Sequence, residues 1–369
     1  MENFFAQPIN IGNLKLKNRI FLAPLAGVSD IPFRRICQEF GAGLTYVEML
    51  SANAVNYVNE KTLRMRARHP SEEILGVQVT GPTPEDLAKA VERLDQENFD
   101  TIDINMGCPV KKVVKANCGS AITKDTEYMS EVVAAVRAVT SKPLSTKFRI
   151  GFDRVNVEDS SLCSVKNNVE MFTIHGRTAQ QNYSDAVDFA KIADGINAGK
   201  GYKSDVVTVG NGDIFDYQSA LRMHEQTGCD AIMISRGSLG NPWIFREILQ
   251  GKPVHPTVEE WLDVILRQLQ YHEEHYGDNV PTTRMARKYF VWYAKGFPGC
   301  KTFRNQLQQV NSLKEARTLF KGFAATLPKT LVRYQGLSFK EAQHIKHGYD
   351  PKYDMDRKLD RGVGTECME

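Results

Sequence analysis

The 369-residue sequence lacks the features that define several large classes of protein. It contains no run of about 18 uncharged apolar residues, so a membrane-spanning helix is not expected. The first residues, Met1 to Phe5, do not form a basic segment followed by an apolar core, so a secretory signal peptide is not expected either. The composition is 42% hydrophobic and 25% charged, which excludes a disordered or collagen-like chain and is typical of a folded soluble protein.

Cysteine is present, but not in the pattern of a disulfide framework or a zinc ribbon. The chain has 7 cysteines, an odd number, at irregular spacing and without a CxxC pair. We therefore expect a protein of the reducing cytoplasm that holds no metal. We also expect it to be monomeric. No GxGxxG string follows the first predicted strand, which disfavours a Rossmann fold.

Charge is distributed unevenly along the chain. Residues 281–347 contain 13 Lys or Arg and only two acidic residues, Glu315 and Glu341, so this segment has a formal charge of +11. Residues 1–280 have a formal charge of −6, and residues 348–369 one of −2. A basic segment beside an acidic body favours binding of a nucleic acid over the simpler interpretation, a solvated basic helical face.

Eight short apolar runs alternate with helical patterns over the first 250 residues. Most are uniformly apolar, as buried parallel strands are, rather than alternating. Eight β–α units in about 250 residues predict an α/β fold of the (β/α)8 TIM-barrel class rather than an open doubly wound sheet. The candidate strands are Arg19–Ala23, Leu44–Glu48, Ile74–Val79, Thr101–Asn105, Pro143–Phe148, Val169–Ile174, Asp205–Val209 and Ala231–Ser235.

Only helical patterns follow Pro253 and Pro256, which predicts a small all-helical domain after the barrel. We expect the barrel at residues 1–250, the helical domain at 256–326, and a basic extension with a polar tail at 327–369. Within the barrel, residues 152–168 lack a clean apolar stripe, so the helix there is expected to be short or irregular.

Polar side chains stand at the ends of the predicted strands, where the catalytic groups of barrel enzymes lie. Each one alone has an ordinary structural explanation, such as a paired core lysine or a satisfied buried histidine. Their joint appearance at one face of a barrel is hard to explain by packing and predicts an active site there. They are Gln78, Asn105–Pro109, Lys147, Arg149, His175–Thr178, Gly210–Asp213 and Ser235–Pro242.

The loops after the seventh and eighth strands predict a phosphate site. Glycines in Gly210–Asp213 allow backbone N–H groups to approach an anion closely. Barrels commonly hold a phosphate in the loops after these two strands. Arg236, which follows the last strand, would add a fixed positive charge.

Two cysteines follow the fourth strand. Cys108 lies between Gly107 and Pro109 in a turn at the strand end, and Cys118 follows a short distance along the chain. An unperturbed thiol has a pKa of about 8.5, so at neutral pH it is mostly protonated and can serve as a proton donor as well as a nucleophile. The turn position favours Cys108 as the reactive cysteine, although the sequence alone does not choose firmly between Cys108 and Cys118.

Taken together, these strings resemble the bacterial-type tRNA-dihydrouridine synthases. The combination of Asn105–Pro109 with Ile174–Thr178 is highly specific to that family. Further similar segments are Ala23–Asp30, Val77–Gln78, Lys147–Arg149, Asn211–Ile214, Arg236–Gly237 and Pro242–Phe245, with Arg284, Arg287, Lys288, Trp292 and Tyr293 in the helical part. Ser235 stands where the family usually has glycine, and Tyr289 where it frequently has histidine.

The resemblance implies FMN in the barrel, NADPH as the usual reductant and tRNA as the partner. It implies that reduced flavin gives a hydride to C6 of a D-loop uridine while Cys108 protonates C5. Asn105 and Arg149 match positions that hold the uridine, and the helical domain, with Arg284, Arg287 and Lys288, matches the family's tRNA-binding addition. The implied FMN contacts are Pro24, Leu25, Ala26, Gln78, Lys147, His175, Asn211, Gly212, Asp213, Ser235 and Arg236.

Two other interpretations remain open at this point. The first is another FMN-dependent barrel oxidoreductase that acts on a small molecule, which leaves the basic helical segment unexplained. The second is a catalytically silent tRNA-binding protein, against which the presence of both Cys108 and Lys147 argues. Because every polar strand end precedes residue 243, we also expect the flavin site to form without the helical domain.

Overall fold

An antiparallel hairpin near the start of the chain closes one end of a barrel. The computed structural model describes residues 3–57 and 60–334. The hairpin strands are β1 (Ile9–Ile11) and β2 (Leu14–Leu16). Ile11 and Leu16 are buried against residues at which barrel strands begin, among them Val207 and Ala231. The hairpin therefore seals the barrel end opposite the predicted active site.

Eight parallel strands form the barrel, and each of the eight predicted runs overlaps one of them. The strands are β3 (Ile20–Leu22), β4 (Thr45–Tyr46), β6 (Leu75–Thr80), β7 (Thr101–Met106), β8 (Leu144–Arg149), β9 (Met171–His175), β10 (Val207–Asn211) and β11 (Ala231–Ile234), with a short β5 (Leu50–Ser51) that pairs with the end of β6. The barrel closes between β3 and β4, where the Leu22 N–H donates to the Leu44 carbonyl at 2.9 Å. The predicted TIM barrel is confirmed.

Helices cover the outside of the barrel between successive strands. They are α1 (Ile31–Glu39), α2 (Ala52–Asn56), α3 (Glu60–Met65), α4 (Pro84–Asp95), α5 (Lys111–Lys115), α6 (Thr126–Arg137), α7 (Val157–Lys166), α8 (Phe189–Tyr202), α9 (Tyr217–Thr227) and α10 (Trp243–Gln250). No helix in the described part of the chain combines the length and the apolarity needed to cross a membrane.

Helix α7 occupies the segment for which the sequence predicts a short or irregular helix. It is short, at 10 residues, but regular. Its buried face carries Ser160, Ser161 and Ser164, with Val157 and Val165 at its two ends as the buried apolar residues. Small side chains let α7 approach α8 closely: a Cβ on Gly195 would lie 2.6 Å from Val157 Cγ2. Close packing of small residues replaces the apolar stripe that the sequence lacks.

Four helices follow the barrel in the described residues, as predicted for this region. They are α11 (Val258–Tyr276), α12 (Val280–Tyr293), α13 (Cys300–Leu307) and α14 (Leu313–Ala325). Thr257 and Glu260 form a capping box at the start of α11. The core of this helical part is continuous with that of the barrel: Trp243 of α10 packs edge-on against Tyr293 of α12, with ring centroids 6.3 Å apart.

The segment after α14 returns to the barrel. The buried Arg333 guanidinium donates to the carbonyls of Lys295, at 2.8 Å, and of Gly240, at 2.5 Å. These bonds link the loop after α12 with the loop after β11. The rest of the predicted extension and tail, from residue 335 onward, lies outside the described residues.

Candidate active site

A cavity of about 560 Å³ opens at the barrel end where the strands end. This volume lies within the range of roughly 300–1,000 Å³ that is typical of small-molecule sites. Residues from strand ends far apart in the chain meet here because the barrel closes. Cys108, Asn105 and Arg149 line the cavity, and so do all of the residues predicted to contact the flavin: Pro24, Leu25, Ala26, Gln78, Lys147, His175, Asn211, Gly212, Asp213, Ser235 and Arg236.

Asn105 organises the turn that carries Cys108. Its Oδ1 accepts the N–H of Gly107 at 3.1 Å and that of Cys108 at 3.0 Å, and its Nδ2 donates to Gln78 Oε1 at 2.8 Å. Arg149 holds the same turn from the next strand, because its Nε donates to the Gly107 carbonyl at 2.8 Å. These bonds determine the position of the Cys108 thiol on the cavity wall.

The geometry distinguishes the two cysteines. Cys108 lines the cavity, whereas Cys118 is buried away from it, with its Sγ donating to the Ala116 carbonyl at 3.3 Å. Burial raises the pKa of both thiols, that of Cys118 to about 11. Cys108 is therefore a protonated thiol at neutral pH, as a proton donor must be.

Asp103 is a buried carboxylate that was not predicted as a site residue. It accepts from Gln78 Nε2 at 2.7 Å and from Ser145 Oγ at 2.6 Å. Because Gln78 also accepts from Asn105, both ends of its amide are held and its orientation toward the cavity is set. A signal was available in the sequence, since alternation along the fourth strand places Asp103 on the same face as Asn105.

Two charged groups deep in the barrel influence each other. Burial raises the pKa of Asp103 to about 6 and lowers the pKa of Lys147 to about 8, and their mutual attraction opposes both shifts. Lys147 is therefore protonated at neutral pH, with its Nζ donating to Asn211 Oδ1 at 3.0 Å. Burial, Arg149 and Lys147 hold the pKa of His175 well below its ordinary value, so this imidazole is neutral.

The loops after β10 and β11 contribute the Asp213 carboxylate and the Arg236 guanidinium, and a second guanidinium, that of Arg177, lies beside them from the loop after β9. Asp213 pairs with Arg177 at 2.5 Å and with Arg236 at 2.7 Å, so two guanidinium groups share one carboxylate. The remaining positive charge suits an anionic group of a ligand, as predicted for these loops. Ser235 joins the site through its hydroxyl, which accepts from Asn211 Nδ2 at 3.2 Å.

Apolar side chains that no motif indicated form much of the cavity wall. Alongside the predicted Pro24 and Leu25 they are Met49, Val114, Phe152, Phe215 and Met233. Met49 follows β4 in an ordinary apolar context, so nothing in the sequence marked it as a site residue. The cavity is therefore a slot with apolar walls. Hydrogen-bonding groups lie at its base, and Arg236 gives one edge a positive charge.

The three predicted tRNA contacts of the helical part lie outside the cavity and differ from one another. Arg284 is exposed on α12. Arg287 donates through Nη2 to the Val310 carbonyl at 2.7 Å and thereby joins α12 to the loop after α13. Lys288 donates to the Gly27 carbonyl, in the loop after β3. Of the three, Arg284 alone lies fully on the surface, and tRNA contact by each of them stays a prediction.

Comparison with known proteins gives a consistent result. The Dihydrouridine synthase (Dus) family model matches residues 21–329. The chain is 37% identical over 322 residues to tRNA-dihydrouridine synthase B of Pasteurella multocida, covering 85% of this chain and 95% of that protein. It is 33% identical over 323 residues to the probable tRNA-dihydrouridine synthase 1 of Synechocystis sp., covering 85% and 89% respectively.

A solved structure of 2-naphthoyl-CoA reductase superimposes with a TM-score of 0.50 at 11% identity, covering 69% of this chain and 53% of that one. A likeness at this identity concerns the fold alone. The barrel, its cavity and the sequence relationships together define an FMN-dependent oxidoreductase. The chain belongs to the dihydrouridine synthase family, as the resemblance implied. The small-molecule and catalytically silent alternatives are thereby set aside.

Proposed function

We propose that the protein reduces a uridine in the D-loop of tRNA to 5,6-dihydrouridine, with FMN in the barrel cavity and NADPH as the reductant. The observation that carries the proposal is that Cys108, Asn105 and Lys147 line the same cavity. Reduction of a pyrimidine C5–C6 bond adds a hydride and a proton. Cys108 offers the proton, the Asn105 amide can hydrogen-bond to the base, and the Lys147 cation can stabilise negative charge on the group that gives the hydride. We also propose a cytoplasmic location, in keeping with the six described cysteines, which are all free thiols.

The residues of the cavity fit FMN. The apolar slot suits a flat ring system, and the donors at its base, from Gln78, Lys147 and His175, suit the polar edge of such a ring. Arg236 lines the cavity and shares the Asp213 carboxylate with the buried Arg177, so it keeps positive charge that would hold the phosphate. When bound, reduced FMN supplies the hydride that reaches C6 of the uridine.

Cys108 would donate the proton to C5 of the same base. Its raised pKa keeps the thiol protonated until the base accepts the proton. The Val110 N–H, Arg149 and Lys147 all favour the thiolate and would stabilise it after transfer. Asn105 and Arg149 border the thiol and would hold the uridine next to it.

Asp103→Asn is expected to raise the Kd for FMN by about tenfold, because an amide offers one acceptor where the carboxylate serves both Gln78 and Ser145. Fluorescence titration of the flavin-free protein measures this. Ser145→Ala keeps the carboxylate and should have a smaller effect.

In the parent protein, FMN affinity should also fall as the pH drops through the pKa of Asp103, about 6, where this carboxylate gains a proton and ceases to accept two hydrogen bonds. The FMN affinity of Asp103→Asn should not show this fall near pH 6. Equal Kd values for the parent and Asp103→Asn across that pH range would exclude Asp103 from the site.

The exposed basic residues of the helical part would bind the tRNA backbone. Arg284→Glu is expected to weaken tRNA binding and to reduce the salt slope of the affinity by roughly 0.7–0.9 for each phosphate that the variant no longer neutralises. Since bonds to phosphates position the RNA rather than specify its sequence, different tRNAs should be affected equally. Arg222→Glu, an exposed arginine of α9 on the outside of the barrel, is the matched control. Superimposable salt titrations for Arg284→Glu and the parent would mean that Arg284 faces solvent and does not contact the tRNA.

The reaction itself is tested with purified protein, NADPH and a tRNA transcript without modifications. We expect one or more D-loop uridines to gain two hydrogens, detected by mass spectrometry of nuclease fragments. NADPH oxidation that leaves the tRNA unchanged would contradict the proposed substrate. Replacing NADPH by NADH in a parallel reaction tests the choice of reductant.

A further inference from the structure

The loop after β3 lines the flavin cavity and is held from three directions. Pro24, Leu25 and Ala26 face the cavity from this loop. Internal bonds shape it: the N–H of Val28 and that of Ser29 both donate to the Leu25 carbonyl at 2.9 Å. The two peptide groups on either side of Gly27 turn outward and bind groups from elsewhere in the chain.

Gly27 lies between an acidic and a basic side chain. Its N–H donates to Glu48 Oε2, from the segment after β4, and its carbonyl accepts from Lys288 Nζ, on α12 of the helical part. Burial raises the pKa of Glu48, and the nearby Lys288 ammonium opposes that rise. The peptide groups on either side of Gly27 are thus hydrogen-bonded to a carboxylate of the barrel and to an ammonium group of the helical part.

The neighbouring residue of α12 adds a second attachment. The Tyr289 hydroxyl donates to the Val28 carbonyl at 2.5 Å, and the ring is fully buried. Next to it, His272 Nε2 of α11 lies 3.5 Å from Asp30 Oδ2 at the end of the same loop. Consecutive carbonyls of the loop therefore bind consecutive side chains of one helix.

We propose that Lys288 and Tyr289 are positioning residues that hold the loop of Pro24, Leu25 and Ala26 in its flavin-binding shape, so that the helical part completes the cofactor site. The inference rests on the proposed function, because it takes FMN as the ligand of the cavity. It assigns Lys288 a role different from the tRNA contact that the resemblance implies. It also reverses the expectation that the flavin site forms without the helical domain.

The charges around Lys288 support this role over a phosphate contact. The ammonium influences the pKa of both Glu48 and Asp30, which are buried carboxylates. A cation that lies beside two buried carboxylates has little net charge to offer a phosphate. Arg284, one turn earlier on the same helix, is exposed and retains its charge for the surface.

The test compares Lys288→Met, Lys288→Arg, Tyr289→Phe and Arg284→Met, in full-length protein and without tRNA. Lys288→Met is expected to raise the Kd for FMN by about tenfold or more, and Tyr289→Phe by about threefold, because each removes a hydrogen bond to the loop. Lys288→Arg retains a donor and a charge and should recover most of the affinity. Arg284→Met should leave the FMN Kd unchanged, and a separate titration with tRNA should show weaker binding of the RNA.

Two further measurements separate positioning from general stability. The visible absorption band of bound FMN should shift in Lys288→Met at saturating FMN, because the loop lines the cavity that would hold the ring. Thermal unfolding of the flavin-free variants reports folding, and Tyr289→Phe still tests the proposal if Lys288→Met does not fold. An unchanged FMN Kd in whichever of Lys288→Met and Tyr289→Phe is folded would overturn it, whatever the tRNA affinity of the variants. A parent protein that binds no FMN would instead overturn the proposed function.

Discussion

Cys108→Ala is expected to slow dihydrouridine formation by roughly 10²–10⁴-fold, the usual contribution of a general acid. The thiol lies on the cavity wall, held there by the hydrogen bonds of Asn105 and Arg149 to its turn. FMN binding should be retained, because the substitution removes one sulfur atom and no bond that holds the loop. Single-turnover reaction of the reduced protein with tRNA measures the rate, and fluorescence titration measures the flavin affinity.

Cys118→Ala is the matched control for this experiment. Its thiol is buried outside the cavity and bonds to the carbonyl of Ala116, so turnover should change little. A protein that stays active without Cys108 and becomes inactive without Cys118 would reverse the assignment.

Lys147→Met is expected to slow reduction of the bound flavin by NADPH roughly 10²-fold and to make its midpoint potential more negative. The ammonium is buried at the base of the cavity, where it would stabilise negative charge on the reduced ring. Methionine keeps much of the side-chain length while removing the charge. Stopped-flow absorbance measures the rate, and a reference-dye titration measures the potential.

The pH dependence provides a second measurement of the same role. The pKa of Lys147 lies at about 8, so Lys147 loses its charge as the pH rises through that value. The rate of flavin reduction in the parent should then fall toward that of Lys147→Met. The Met variant should show no such decline. Lys142→Met is the control, because this lysine precedes the same strand at the opposite end of the barrel and donates to the Glu97 carbonyl. Equal potentials for the parent and Lys147→Met would exclude the electrostatic role.

The strands and the site were predictable to different extents. The eight uniformly apolar runs indicated the barrel, because buried parallel strands have a composition that is readable locally. The site residues followed from polar side chains at strand ends, where Gln78, Lys147 and His175 interrupt or end apolar runs. Asp103 could have been found by the alternation along its strand, whereas Met49 could not, because an apolar residue beside a cavity looks like any core residue.

Helix α7 shows where local patterns mislead. The rule of a large apolar stripe assumes the usual distance between a helix and its neighbours. At α7 the buried serines and Gly195 of α8 reduce that distance, so small residues fill the core. The distance between two helices is a property of the packed molecule and does not appear in either segment alone.

The sequence by itself determined the fold class, the family and the residues that could do the chemistry, since these depend on patterns within single segments. Only the tertiary structure decided which cysteine faces the cavity, which acid orients Gln78, and that Lys288 binds a barrel loop. Each of these depends on a contact between residues far apart in the chain, such as Gly27 with Lys288. The family resemblance and the basic charge of the segment gave Arg284, Arg287 and Lys288 the same interpretation, and burial in the folded protein is what separates them.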